Sequence, residues 1–86
     1  MHELGLATGV LDSVVKVAKE NKCLYVKSID VVVGKKAAIV DQLFTDAFNA
    51  LKELDEYSLC REAKINTKTC EGRDVYVDKI EVEQKD

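Results

Sequence analysis

Two apolar stripes at helical spacing, with one β-branched run between them, set the strongest limit on how this chain folds. The first stripe is Leu4, Ala7, Leu11, Val14, Val15 and Ala18. It predicts an amphipathic helix over residues 3–21, with Asp12, Lys16, Lys19 and Glu20 facing water. The second stripe is Val40, Leu43, Phe44, Ala47, Phe48, Leu51 and Leu54, which predicts a helix over 37–54. Its other face carries Asp41, Gln42, Thr45, Asp46, Asn49 and Glu53 and reads as solvated surface. Between the stripes, residues 23–33 are rich in β-branched side chains, with Ile29, Val31 and Val33 alternating with Asp30 and Val32. That run predicts a strand, ended by Gly34.

Two further strands are predicted over 59–66 and 73–83. The connector Thr67-Lys68-Thr69-Cys70-Glu71-Gly72 between them is long enough for a hairpin with an irregular loop. Val75 and Val77 share one phase of the last strand, whereas Ile80 and Val82 share the other. The switch across Asp78-Lys79 predicts a bulge, or a strand that exchanges one set of contacts for another. The expected fold class is therefore α+β, in the order α-β-α-β-β. Two helices on one face of a three-stranded sheet bury both stripes. Residues 1–86 read as a single domain, loose only at Gln84-Lys85-Asp86. Gly5 and Gly9 each cost about 1 kcal/mol against Ala inside a helix, and their shared face is expected to serve ordinary packing.

Composition narrows the function. A chain of 86 residues buries only about 60% of its unfolded surface, so the core is small. The net charge is −3, and acids alternate with bases, as in Lys79-Ile80-Glu81-Val82-Glu83. No cationic cluster is available to replace phosphate counterions, which argues against nucleic acid as a partner. No apolar run approaches the roughly 20 residues that span a bilayer, and no basic region with a cleavable apolar stretch opens the chain. No membrane association and a cytoplasmic location are expected. Cys23, Cys60 and Cys70 make an odd count with no C-x-x-C pair, against both a disulfide framework and a self-contained zinc site. Free structural thiols are the expectation, with a Cys60–Cys70 bridge open if the two face each other across the hairpin. No nucleophile elbow, phosphate-binding glycine loop or H-E-x-x-H is present, and the chain does not read as an enzyme. Acid pairs such as Asp55-Glu56 and Glu81/Glu83 read as solvated faces.

The one histidine, His2, stands directly behind Met1. A free α-amine has a pKa of about 7.7–8.0 and loses its proton near neutral pH. The Met1 amine and the His2 amide nitrogen close a five-membered chelate ring on a metal, and His2 Nδ1 closes a six-membered ring with the same amide. Three nitrogens from two residues suit square-planar or tetragonal Ni(II) or Cu(II). The fourth position is open to the amide nitrogen or carboxylate of Glu3, to water, or to a partner's residue. Few, exposed and protonatable ligands make such metal transferable, because protons compete for them.

These residues also carry a family resemblance. "MHELGLATGVLDSVVKVAKEN" resembles the opening of the HypA/HybF nickel-incorporation metallochaperones, which begin Met-His-Glu and continue as an amphipathic helix. "SIDVVVG", "AIVDQLFTDAF" and "GRDVYVDKIEVE" follow in the family's order. The resemblance implies a nickel-binding domain of two helices and a three-stranded mixed sheet. It implies nickel delivery for [NiFe]-hydrogenase maturation, with a HypB-type GTPase and the hydrogenase large subunit as partners and urease as a second client in some organisms. Carried over by residue, His2 is the essential nickel ligand, Met1 gives its amine, and Glu3 completes the signature.

Three departures accompany it. The family's zinc-binding insertion, with two C-x-x-C pairs between the last two strands, is replaced here by the short connector at 67–72, so structural zinc is not expected. The usual Glu after the strand-ending Gly is Lys35, and the Pro expected early in the second helix is Asp41. A second function is therefore carried alongside the first: a non-catalytic regulatory paralogue that binds maturation partners without transferring metal. A homodimer is a further open expectation, since an exposed sheet edge invites pairing.

Overall fold

The computed structural model describes residues 2–85, with His2 through its backbone alone. Helix α1 spans His2–Glu20, strand β1 Cys23–Gly34, helix α2 Asp41–Leu51, strand β2 Lys64–Cys70 and strand β3 Val75–Gln84. Short 3-10 turns occupy Lys35–Ala37 and Asp55–Cys60. The three strands form one mixed sheet in the order β2-β1-β3, with β1 parallel to β2 and antiparallel to β3. The helices pack on each other and on the sheet, α1 over β1 and β3 and α2 reaching β2. The α-β-α-β-β reading thus holds in order and class.

One apolar cluster joins the layers. Ala7, Val10, Leu11, Val14, Val15 and Ala18 of α1 meet Phe44 and Phe48 of α2, both fully buried, and the inner face of β1. That face has an uneven period. Cys23, Val26 and Ile29 recur every three residues, then Ile29, Val31 and Val33 every two. The ladder to β3 explains it. Tyr25 stands opposite Glu83, Val26 opposite Val82 and Ser28 opposite Glu81, so Leu24 and Lys27 are extra residues that bulge out of β1. On β3 the corresponding irregularity is at Asp78, because Asp30 pairs with Lys79 but Val31 with Val77. The bulge expected from the phase switch is present, and it turns Val75, Val77, Ile80 and Val82 all toward the core.

Several expectations change. Helix α2 begins at Asp41 rather than 37, because Lys35–Ala37 form a 3-10 turn, Ala38 is left-handed (φ 58°) and Val40 is extended. Val40, Leu43 and Leu54, placed on the apolar face by spacing, are 52%, 50% and 45% exposed, and the true face narrows to the fully buried Phe44 and Phe48 with Ala47 and Leu51 half-buried beside them. Leu4 is likewise exposed, and Val10 takes its place in the core. The strand expected over 59–66 starts only at Lys64, since Tyr57 and Cys60 are buried by the preceding 3-10 segment. Thr67–Cys70, expected in the connector, complete β2, where alternate β-branched threonines suit a strand. No hairpin forms: β2 and β3 flank β1 on opposite sides, joined by residues 71–74. The Cys60–Cys70 bridge fails with it. Cys60 precedes β2 and Cys70 ends it, and seven extended residues put roughly 20 Å between the strand's ends, against less than about 7 Å for a bridge. All three thiols are free. Gly5 and Gly9 do not mediate close packing either, for a Cβ at each meets nothing within 4 Å.

Gly34 is the glycine with a steric reason. Its φ of −68° is open to any residue, but a Cβ there would lie 2.4 Å from the carbonyl oxygen of Gly72. The 71–74 connector is pressed against it by two main-chain bonds, Gly34 N–H to Asp74 O at 2.7 Å and Lys36 N–H to Gly72 O at 2.8 Å. Gly72 itself makes the turn at φ +99°.

Candidate metal centre

Helix α1 starts at His2, so two of the three predicted residues, His2 and Glu3, fall on the beginning of its first turn. Met1 and the His2 side chain lie outside the described residues. A helix start leaves its first four N–H groups without an intrahelical carbonyl, and the His2 and Glu3 amides are among them. Those are the main-chain nitrogens that an amino-terminal chelate needs.

Glu3 is drawn inward. Only 8% exposed, its carboxylate Oε2 accepts the Val40 N–H at 3.0 Å. The bond ties the first turn of α1 to the residue preceding α2, whose own N–H groups need acceptors. An acid in a helix's first turn reads from sequence as a complement to the helix dipole. Its partner across 37 residues has no signal in the sequence, since Val40 is placed there on the apolar face of α2. Around this tie Leu4, Val40 and Leu43 are exposed apolar side chains at the paired helix starts.

Lys35 and Asp41 line one surface cleft close by. Lys35 pairs with Glu71 at 3.4 Å, both exposed, across the Gly34 contact. Asp41 accepts the Thr67 hydroxyl at 2.6 Å, joining the start of α2 to β2. Among the described residues no three His, Cys, Asp or Glu side chains converge to hold a metal. Cys23 begins β1, while Cys70 pairs with Gly34 at its far end. Burial pushes the Cys60 thiol up to about 11, with Lys52 opposing it, so it stays protonated and a poor ligand near neutral pH. Farther along α1, the Tyr57 hydroxyl donates to Asp12 Oδ1 at 2.7 Å, a bond that together with burial raises its pKa to about 12. That contact anchors the 3-10 segment and is remote from the amino terminus.

The family model described as "Hydrogenase/urease nickel incorporation, metallochaperone, hypA" matches residues 1–75 of the 86. The chain belongs to the HypA family. This is a family of metallochaperones and not of catalytic enzymes. Among solved structures, this HypA-family fold is similar to the solution structure of the Ni metallochaperone HypA from Helicobacter pylori, with a TM-score of 0.78 at 15% identity. The match covers 96% of this chain and 98% of that one. A second structure, titled as the solution structure of HypA protein, matches with a TM-score of 0.68 at 17% identity, over 95% of this chain and 92% of the other. At these identities the likeness is one of fold. No curated protein matches the sequence. No helix of the described residues is long and apolar enough to cross a membrane.

Proposed function

We propose that this HypA-family protein takes up Ni(II) at its amino terminus and hands it on during hydrogenase or urease maturation. The observation that carries this reading is the tie between Glu3 and Val40, which fixes the first turn of α1 beside the start of α2 while its leading amides lack helical partners. The Met1 amine, the His2 amide nitrogen and the His2 imidazole take three positions around the metal. Glu3 holds the turn in place, and the fourth position is left for water or a residue of the acceptor. Each nitrogen must lose its proton to bind, so uptake releases protons and acid releases metal.

Transfer then proceeds by ligand exchange at the open position, to a HypB-type GTPase or to the hydrogenase large subunit, in the cytoplasm. The exposed Leu4, Val40 and Leu43 beside the tie are a surface on which such an acceptor can seat. The functional unit is the single domain of residues 1–86, without structural zinc.

The test is a Ni(II) titration of protein with a free Met1 amine, followed through its d–d absorption. It runs beside a copy carrying one extra residue before Met1 and beside His2→Ala. A planar complex formed only by the native-ended protein, and lost in His2→Ala with an unchanged circular dichroism spectrum, supports the proposal. Equal, weak binding in all three overturns it in favour of a partner-binding paralogue that moves no metal.

A further inference from the structure

Strand β2 lies at an edge of the sheet. β1 pairs with one side of Lys64–Cys70, and among the described residues neither a strand nor a loop bonds its main chain from the other. The register sorts its side chains between two faces. Ile65, Thr67 and Thr69 stand opposite Ile29, Val31 and Val33 of the core and share the helix-covered face. Lys64, Asn66 and Lys68 stand opposite Ser28, Asp30 and Val32 and share the uncovered one.

This edge carries one sign of charge, in a chain that is negative as a whole. β2 has two lysines and no acid, and neither lysine forms an ion pair among the described residues. The carboxylates around it are engaged. Asp30 accepts the Asn66 amide at 3.0 Å and stands opposite Lys79 of β3, while Asp41 accepts the Thr67 hydroxyl. Glu71, just past the strand, pairs with Lys35. Lysines on an edge ordinarily keep strands apart. They do so selectively, because like charges across a pair repel and opposite charges attract. A second copy of β2 would bring more lysine and no acid, so the edge rejects its own kind and favours an acidic strand.

On the helix side of the edge lies a cleft of about 410 Å³, lined by Val33, Ile39, Asp41, Thr67 and Thr69. A strand laid along β2 directs alternate side chains over this cleft and the others beside Lys64 and Lys68. We infer that β2 accepts an extended acidic segment of another protein as a further strand of the sheet. Two lysines four residues apart on one face call for two acids at the same separation, with small apolar side chains between them over the cleft. Main-chain bonds supply the affinity, and the two charge pairs supply the selection. The inference goes beyond the nickel reading and uses none of the amino-terminal ligands, so metal-free protein is expected to bind.

The probe is the peptide acetyl-Thr-Glu-Val-Thr-Val-Glu-Thr-amide, which reads alike in both directions and so suits either strand polarity. Titrated into isotope-labelled, metal-free full chain, it is expected to shift the amide resonances of Lys64–Cys70 saturably. Its lysine counterpart, Thr-Lys-Val-Thr-Val-Lys-Thr, is expected to bind roughly 10-fold more weakly. The double variant K64E/K68E reverses that preference. Both lysines are exposed, so the fold is expected to persist, checked by amide resonances away from β2. Lys68→Glu alone narrows the preference by about 3-fold and serves if the double variant does not fold. Absence of saturable shifts at millimolar peptide overturns the inference, as do shifts centred on β3 or a preference untouched by the reversals. Displacement of the peptide by inorganic phosphate at equal concentration also overturns it, since the lysines then take any anion.

Discussion

Replacing Gly34 by Ala sets two opposed effects against each other, and the structure decides which wins. At φ −68° and ψ 138° the position accepts an L-residue without strain, so the smaller entropy of the unfolded chain favours Ala by about 0.4–1 kcal/mol. Against it, the new Cβ would stand 2.4 Å from Gly72 O, 2.7 Å from Gly72 C and 2.9 Å from Asp74 N, all of them backbone. Restoring ordinary contact requires the connector to retreat by about 1 Å. The bonds at 2.7 and 2.8 Å would then pass beyond hydrogen-bonding range. Two lost bonds at about 1 kcal/mol each, with about 1–3 kcal/mol of overpacking, outweigh that gain and leave a net destabilisation of about 2–5 kcal/mol. Urea unfolding should show a lower midpoint at unchanged slope. Gly72→Ala is the contrast: its Cβ meets nothing, and only its φ of +99° is penalised, by about 1–2 kcal/mol. Gly34→Ala within 0.5 kcal/mol of the parent, a margin typical of inert surface changes, would refute the packing argument.

Three other outcomes follow from the contacts. Glu3→Ala should destabilise by about 1–3 kcal/mol and weaken nickel uptake through loss of the Val40 bond, whereas Glu3→Gln, which retains an acceptor oxygen, should recover much of both. Phe48→Ala, at a fully buried site, should cost about 3–5 kcal/mol in chemical denaturation, a large share of the stability of so small a domain. Tyr57 has its pKa raised from an ordinary 10 to about 12, chiefly by the bond to Asp12. The native state therefore favours the protonated phenol. Its contribution is complete below pH 10 and is lost as pH rises from 10 to 12, a fall in stability that Tyr57→Phe should flatten.

Where the sequence was legible, one local pattern determined one local structure. The α1 stripe places five of its six core residues correctly because helix period and burial agree along nearly its whole length. The phase switch in β3 reveals the Asp78 bulge because both halves of the strand face the same core. Legibility fails where tertiary contacts override pattern. Val40 opens a helical stripe on paper, yet a distant carboxylate takes its N–H and α2 begins after it. Leu59 and Cys60 resemble the start of a strand, but Cys60 is buried from within a 3-10 turn. Thr67–Cys70 read as a polar connector because β2 is an edge strand with mostly solvated side chains. At the candidate site, Glu3 stands out in the sequence only as part of the Met-His-Glu opening, and its inward turn toward Val40 does not show there. Nothing in the order of residues links position 3 to position 40.

The connector between β2 and β3 also has a bearing on how such a protein changes over generations. Its two sides are fastened separately, Gly72 to Lys36 and Asp74 to Gly34, so the sheet does not depend on what lies between the fastenings. Arg73, exposed between them, is a point where the chain can leave the body and return with its ends already held close. The closure entropy that an inserted segment would otherwise impose grows only slowly with its length, and here it starts from a loop that is already closed. Lineages can accordingly enlarge or trim this junction in single steps, leaving the ladder, the core and the amino terminus as they were. Selection on whatever is displayed there is uncoupled from selection on the fold beneath it.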